Sequence, residues 1–141
     1  MPPTLPDPGA FNARVWEIVR QIPSGKVCSY GQIAAMIPAP EGVAAQDYEA
    51  YKARWVGYAM ADSPPGVPWQ RVINAQGKIS LNKSPLQRQQ RQLLEAEGVL
   101  FDSRDRVDMA QYAWDGPPAG WLLERGLLPP QPRSRQPGLF G

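Results

Sequence analysis

Apolar residues recur at helical spacing close to the start of the chain. Four of them stand at i, i+4, i+7 and i+11, which places them on one face of a helix. Asp7 followed by Pro8 fits an N-cap with proline at the first helical position. The pattern predicts a first helix that begins at Pro8 and ends at residues 23–25, Pro-Ser-Gly. Its buried face consists of Phe11, Val15, Ile18 and Ile22.

Two further helices are predicted before residue 62. Ser29 and Gln32 have the spacing of a capping box and introduce a short helix over about residues 30–37. After a break at residues 38–42, residues 43–61 favour a longer helix because they are rich in good helix formers. Two helices joined by a turn indicate a helix-turn-helix, although tandem helices also occur in small domains that do not bind DNA.

The second half of the chain predicts small β elements and one more helix. Residues 71–74 are typical of a short strand, and residues 99–101 and 107–109 of a hairpin. Ser84 fits the cap of a helix that starts at Pro85 and ends at Gly98, with three leucines facing inward. The predicted fold class is therefore mainly α with small β elements. The three inward leucines are Leu86, Leu93 and Leu94.

Proline content divides the chain into a body and an end segment. The 141 residues suit one domain, and their 17 prolines are concentrated at the two ends. Residues 8–116 are predicted to form the folded domain. Residues 117–141 lack a sustained apolar period and are predicted to be a Pro-rich, disordered tail.

Charge and composition limit the classes of function. Residues 14–91 hold ten basic and five acidic side chains, which fits a polyanion partner but also an ordinary solvated surface. A single cysteine excludes an intrachain disulfide and agrees with a reducing compartment, either a bacterial cytoplasm or a nucleus. No histidine is present, so we expect no zinc site, and no cofactor is indicated. The sequence has no apolar run near the ~20 residues that span a membrane.

The most informative motif is the heptapeptide at residues 68–74, Pro-Trp-Gln-Arg-Val-Ile-Asn. It resembles the active-site signature Pro-Cys-His-Arg-Val of the O6-alkylguanine-DNA alkyltransferases. Trp69 stands at the position of the alkyl-accepting cysteine, and Gln70 at that of its histidine base. A cysteine reacts as a thiolate activated by a neighbouring base or charge. An indole nitrogen, whose lone pair is delocalised into the ring, cannot replace it.

Further blocks extend this resemblance over about residues 11–101 in the order of that family. They lie at residues 11–16, 22–34, 54–60 and 93–99. Tryptophan in place of the cysteine is typical of the alkyltransferase-like proteins, which bind O6-alkylguanine in duplex DNA without repairing it. The resemblance implies one winged-helix-type, helix-turn-helix DNA-binding domain without the separate N-terminal domain of full alkyltransferases.

The resemblance also implies how DNA is held. The damaged nucleotide would be extruded from the stack through the minor groove, with Arg54 filling the vacated space and Tyr30 crowding the 3′ phosphate. The alternatives are a solvated helix arginine and a core aromatic. Ser29, Gly31 and Gln32 stand at a helix start whose N–H groups suit a phosphate, although plain capping explains the same residues.

A pocket for the extruded base is implied around the heptapeptide. Its expected lining is Trp69, Pro68, Val72, Tyr30 and Asn82, and the loop at residues 81–83 would close it. Carbonyls near Trp69 and Val72 would accept from the guanine amino group. The alternative for Trp69 is an ordinary buried tryptophan. Arg71 is expected to be a structural ion-pair or hydrogen-bond centre rather than a base reader. Glu97 matches the third member of the family's Cys-His-Glu relay and is expected to be either a structural remnant or a partner for Arg71.

The chain departs from the family pattern between Tyr30 and Arg54. About ten residues more than usual lie there, around residues 38–53, and they lengthen either the turn or the second helix. We expect the tyrosines of this insertion to pack on the body and its acids to point away from phosphates. The tyrosines are Tyr48 and Tyr51, and the acids are Glu41, Asp47 and Glu49.

Three functions follow from these observations. The resemblance favours a monomeric, non-enzymatic protein that flags the lesion for nucleotide excision repair proteins. A helix-turn-helix transcriptional regulator is the main alternative. An active alkyltransferase that uses Cys28 is the third, although no histidine could activate that thiol.

Overall fold

The first helix begins where its capping residues predict. The computed structural model describes residues 2–80 and 85–131. In α1 (Pro8–Val19) the Asp7 side chain accepts a hydrogen bond from the Ala10 N–H at 3.0 Å. The helix ends a turn before residues 23–25, because the chain tightens into i→i+3 hydrogen bonds after Val19. All four residues of the predicted apolar face are buried, including Ile22, which lies beyond the helix.

The next two helices form the predicted helix-turn-helix, α2 (Tyr30–Ala35) and α3 (Ala45–Ala61). The Ser29 hydroxyl caps α2 by accepting from the Gln32 N–H at 3.1 Å. The Gln32 side chain does not complete a capping box, since its amide donates to the Trp114 carbonyl at 2.6 Å. That bond ties α2 to the later part of the chain instead.

The insertion lengthens the second helix of this pair. Because α3 begins at Ala45, it runs for nine residues before Arg54. Tyr48 is buried and donates a hydrogen bond to the Ile37 carbonyl at 2.6 Å, while Tyr51 stacks on Trp55 with ring centroids 6.1 Å apart. The prediction that both tyrosines pack on the body is confirmed.

A small parallel sheet joins the two halves of the domain. Strand β1 (Cys28–Ser29) pairs with β2 (Val72–Ile73), and a 3₁₀ turn (Trp69–Arg71) leads into β2. Parallel strands need a crossover connection, which α2 and α3 provide. The predicted hairpin is reduced to one antiparallel bridge between Phe101 and Val107.

Two of the three leucines predicted to face inward on the fourth helix do not. In α4 (Pro85–Ala96) Leu94 is buried, but Leu86 and Leu93 are 50% and 36% exposed. The inward face is formed by Leu94 and, one turn earlier, by Gln90. The helix ends at Ala96, and Gly98 follows two residues later with a φ of 92°, a value that is favourable for glycine. Its predicted cap, Ser84, lies outside the described residues.

The folded body continues past residue 116, so the predicted disordered tail is wrong for residues 117–131. Two short helices, α5 (Met109–Tyr112) and α6 (Ala119–Glu124), follow the bridge. Leu122 and Leu127 are buried in the main core with α1 and α3. The prolines of this segment favour disorder, so the sequence does not indicate that these two leucines reach the core. Residues 132–141 lie outside the described part of the chain.

Main-core contacts therefore link the start, middle and end of the described chain. Across residues 2–80 and 85–131, no helix is long and apolar enough to cross a membrane.

Candidate nucleic-acid interface

A cavity of about 390 Å³ lies where the helix-turn-helix meets the heptapeptide and α4. This volume is in the range of small-ligand sites. Three predicted pocket residues, Tyr30, Trp69 and Val72, line it. Pro68 precedes Trp69 without lining the cavity, and Asn82 lies outside the described residues. The other lining residues are Gly57, Met60, Ala61, Ser63, Leu86, Gln89 and Gln90.

Several of these residues were missed in the sequence. Gly57 and Met60 are three positions apart on α3 and therefore share a face. They belong to the same matched block as Arg54, so helical spacing could have indicated them. Leu86 borders the cavity, which explains why this leucine is not covered by the core. Trp69 is half-buried and lines the same space.

Tyr30 lies at the rim of the cavity at the start of α2. It is half-buried, and its hydroxyl and the Ser80 hydroxyl are 2.8 Å apart. The position is thus neither a closed core site nor a free surface. The phenol can reach a ligand only by exchanging or sharing this hydrogen bond.

The residues at the start of α2 make different contacts. The buried Ser29 hydroxyl serves the helix cap, and the Gln32 amide holds Trp114. Gly31 is exposed, and a side chain added there would meet nothing within 4 Å. Capping therefore accounts for the side chain of Ser29, while Gly31 leaves the backbone of this turn open to approach.

Arg54 stands on α3 outside the cavity. Its side chain is exposed, and its guanidinium carbon lies 5.4 Å from the centroid of the Tyr51 ring. This cation–π contact holds the arginine along the helix surface. The structure places Arg54 on the helix that borders the cavity through Gly57 and Met60, three and six residues before them.

A polar network lies behind Trp69 and centres on Glu97. Arg71 donates from Nε to Glu97 Oε1 and from Nη2 to Oε2, both at 3.0 Å. Gln70 Nε2 donates to Oε2 at 2.9 Å, and the Gly25 N–H to Oε1 at 3.0 Å. A further Arg71 bond goes from Nη1 to the Ile22 carbonyl at 2.8 Å. Arg71 and Glu97 thus form an ion pair, which is one of the two alternatives expected for Glu97.

Opposing effects set the pKa of Glu97. Its burial favours the neutral acid and raises the pKa, but hydrogen bonds from Arg71, the Gly25 N–H and Gln70 outweigh burial. The net pKa is lower than usual, so this carboxylate stays ionised. A group held in this way is suited to fixing its neighbours rather than to exchanging protons near neutral pH.

The only cysteine is isolated from solvent in β1. Cys28 has no exposed surface, and burial raises the pKa of its thiol to about 12. A thiol with so high a pKa is almost entirely protonated at neutral pH, and reactive cysteines are accessible thiolates.

The fold and the cavity define a class: a helix-turn-helix DNA-binding domain with a pocket beside its second helix. The model of the family described as the DNA-binding domain of 6-O-methylguanine DNA methyltransferase matches residues 10–99. The chain belongs to this family.

Named relatives cover most of the chain. A DNA base-flipping protein of Escherichia coli K12 is 40% identical over 108 residues, which are 75% of this chain and 75% of that protein. One from Vibrio parahaemolyticus is 42% identical over 74% of this chain and 95% of its own length. Alkyltransferase-like protein 1 of Schizosaccharomyces pombe is 35% identical over 74% and 94%, respectively. The predicted resemblance to alkyltransferase-like proteins is confirmed.

A solved structure gives the same answer for the fold. The crystal structure of S. pombe Atl1 in complex with damaged DNA containing O6-carboxymethylguanine matches with a TM-score of 0.56 at 35% identity. The match covers 74% of this chain and 94% of that one. It confirms the predicted fold class, a mainly helical DNA-binding domain with small β elements.

Proposed function

We propose that this protein binds O6-alkylguanine in duplex DNA through the minor groove and holds the damaged base, flipped out of the stack, in the cavity beside α3. The observation that carries the proposal is the shared cavity of Tyr30, Trp69 and Val72, which come from two separate parts of the chain, the start of α2 and the heptapeptide. The names of the base-flipping relatives and the damaged DNA bound by S. pombe Atl1 support it.

The cavity wall suits an alkylated base. Trp69, Met60 and Leu86 offer aromatic and apolar surface to the purine and to its alkyl group. Extruding a nucleotide costs a few kcal/mol of stacking and pairing. In the proposed complex the Arg54 guanidinium leaves Tyr51 and fills the gap in the stack, where a planar cation can both stack and hydrogen-bond. Tyr30 and the turn at Gly31 approach the neighbouring phosphates.

The bound base keeps its alkyl group. Trp69 occupies the acceptor position, and Gln70 is engaged with Glu97, so no base stands beside a nucleophile. The buried Cys28, with its raised pKa, offers no second acceptor. The product of binding is thus a protein–lesion complex. We further propose that a monomer forms this complex and that it serves as a flag for nucleotide excision repair proteins.

A competition assay tests the proposal. Duplexes that carry O6-methylguanine, a larger O6-alkylguanine or guanine at one position would compete for the protein at one fixed salt concentration, because phosphate contacts vary with salt. We expect both damaged duplexes to bind more tightly than the undamaged one. Equal affinities would overturn the proposal. Mass spectrometry of the recovered protein should show no added alkyl group, and alkylation of Cys28 would indicate an enzyme instead.

A further inference from the structure

Gln90 is a buried polar residue in the wall of the cavity. It lies on α4 with 2% of its surface exposed. Its side-chain Nε2 donates to the Gln70 carbonyl at 3.0 Å and to the Val72 carbonyl at 2.9 Å. Both N–H bonds of this amide are therefore used on one short stretch of backbone, the stretch that follows Trp69.

These two carbonyls lie in and just before β2, on the edge of the strand that no other strand covers in the described sheet. Strand β2 pairs only with β1 in the described sheet, so its other edge presents unpaired backbone groups. Gln90 supplies the donor that a third strand would have given. Buried carbonyls left without a donor would each cost free energy, which explains why a glutamine is tolerated inside the protein.

A carbonyl oxygen can accept two hydrogen bonds, so Gln90 does not exhaust these acceptors. It fixes their direction next to a cavity that Val72 and Gln90 both line. An O6-alkylguanine carries no proton at N1, and its only donor on the pairing edge is the 2-amino group. Fixed carbonyl acceptors therefore match this group and no other part of that edge.

We propose that Gln90 is a positioning residue that sets the preference of the cavity for purines with a 2-amino group. This inference rests on the proposed function. Gln90 acts through the backbone carbonyls of Gln70 and Val72, whose orientation it fixes, and does not itself need to touch the base. A site built around a hydrogen bond rejects an analogue that cannot form it, because its polar group is then left unpaired.

The test compares Gln90→Met with the matched control Gln92→Met. Gln92 lies two positions after Gln90 on α4, is exposed and does not line the cavity. Affinities are measured for duplexes with O6-methylguanine, with O6-methylhypoxanthine, which lacks the amino group, and with guanine. We expect wild type and Gln92→Met to favour O6-methylguanine over O6-methylhypoxanthine about tenfold, the effect of one hydrogen bond. In Gln90→Met this ratio should fall to about one.

The ratio of two affinities in one preparation does not depend on the fraction of folded protein. A purely structural Gln90 would lower the melting temperature of Gln90→Met and leave the ratio intact, which would overturn the inference. Equal affinities of the wild-type protein for O6-methylguanine and O6-methylhypoxanthine would also overturn the inference. If Gln90→Met does not fold, Gln90→Asn, which is too short to hold both carbonyls, takes its place with the same expectation. Loss of wild-type preference for O6-methylguanine over guanine would instead defeat the proposed function.

Discussion

The two sides of the segment at residues 69–72 differ in kind. Behind it, the Glu97 carboxylate accepts hydrogen bonds from Arg71, Gln70 and Gly25. In front of it lies a largely apolar cavity, with the Tyr30–Ser80 contact at the rim and Gln90 in the wall. The back is saturated with hydrogen bonds, and the front is open to a ligand. The polar groups behind the segment are engaged with one another, and we propose that the cavity in front of it recognises the base.

This division has a physical basis. An ion pair removed from water is costly unless hydrogen bonds satisfy the remaining polar atoms. The side chains of Arg71 and Glu97 are only 18% and 13% exposed, and both have such bonds. Removing Glu97 would take away the acceptor that Arg71, Gln70 and the Gly25 N–H share. The back of the segment should therefore govern stability, and the front should govern binding.

The largest expected effect comes from Glu97→Ala. Four donor groups would lose their acceptor, and a half-buried arginine would lose its counter-charge. We expect the free energy of unfolding to fall by about 2–3 kcal/mol, as measured by urea denaturation. The exposed Glu95, two positions earlier, provides the control: Glu95→Ala should cost less than about 0.5 kcal/mol. Equal effects of the two substitutions would show that the network does not stabilise the fold.

Trp69→Ala should affect DNA binding more than stability. We expect it to lower the preference for an O6-methylguanine duplex by about tenfold or more, since stacking on an aromatic ring contributes roughly 1–3 kcal/mol per base. The unfolding free energy should change less than in Glu97→Ala, because Trp69 borders open space. Trp69→Phe should retain part of the preference. A helix-turn-helix transcriptional regulator would keep its DNA affinity in both variants, and that result would favour this alternative function.

The pH dependence of stability separates the two sides further. The pKa of Glu97 is lowered in the folded state, so its contribution is fully present above the unfolded value of about 4.3 and is lost as the pH falls through the folded value. Exposed Asp102 also has a lowered pKa, so wild type must be compared with Glu97→Gln. The stability difference between the two proteins should shrink as the solution is acidified below about pH 4.3. A constant difference would contradict the assigned role.

The smallest effect is expected at the rim. Tyr30→Phe removes the hydroxyl contact with Ser80 and keeps the ring. Because this contact is exposed, the free energy of unfolding should change by about 0.5 kcal/mol or less in thermal or urea denaturation. Tyr30→Ala, which removes the ring as well, should weaken binding to the damaged duplex more than Tyr30→Phe does. If the two variants bind alike, the ring does not contribute to base extrusion.

The sequence predicts those parts of the fold that depend on local signals. Asp7 and Pro8 locate the start of α1, and Gly98 locates the end of α4, because caps and left-handed glycines act within a few residues. A partner for Arg71 is one of the two roles expected for Glu97, and this expectation comes from family resemblance rather than from spacing. Local signals thus account for helix boundaries, and resemblance accounts for the lining by Tyr30, Trp69 and Val72.

The errors have one common cause, which is tertiary contact. Nothing near Gln90 in the sequence indicates that its side chain will be buried and will donate to two carbonyls about 20 residues earlier. The pattern of apolar residues therefore predicts Leu86 and Leu93 on the buried face of the helix, although both are exposed. Likewise, the prolines after residue 116 suggested disorder, while Leu122 and Leu127 reach a core formed by α1 and α3. Long-range packing overrides local composition in both regions.

The position of the damaged base in a complex tests the proposed function most directly. A crystal structure of the protein bound to a duplex with one central O6-methylguanine would measure this. We predict that the methylated base is outside the stack, in the cavity of Tyr30, Trp69 and Val72, with Arg54 in its former place and the methyl group still attached. A base that remains stacked in the duplex, or that is held away from this cavity, would contradict the account.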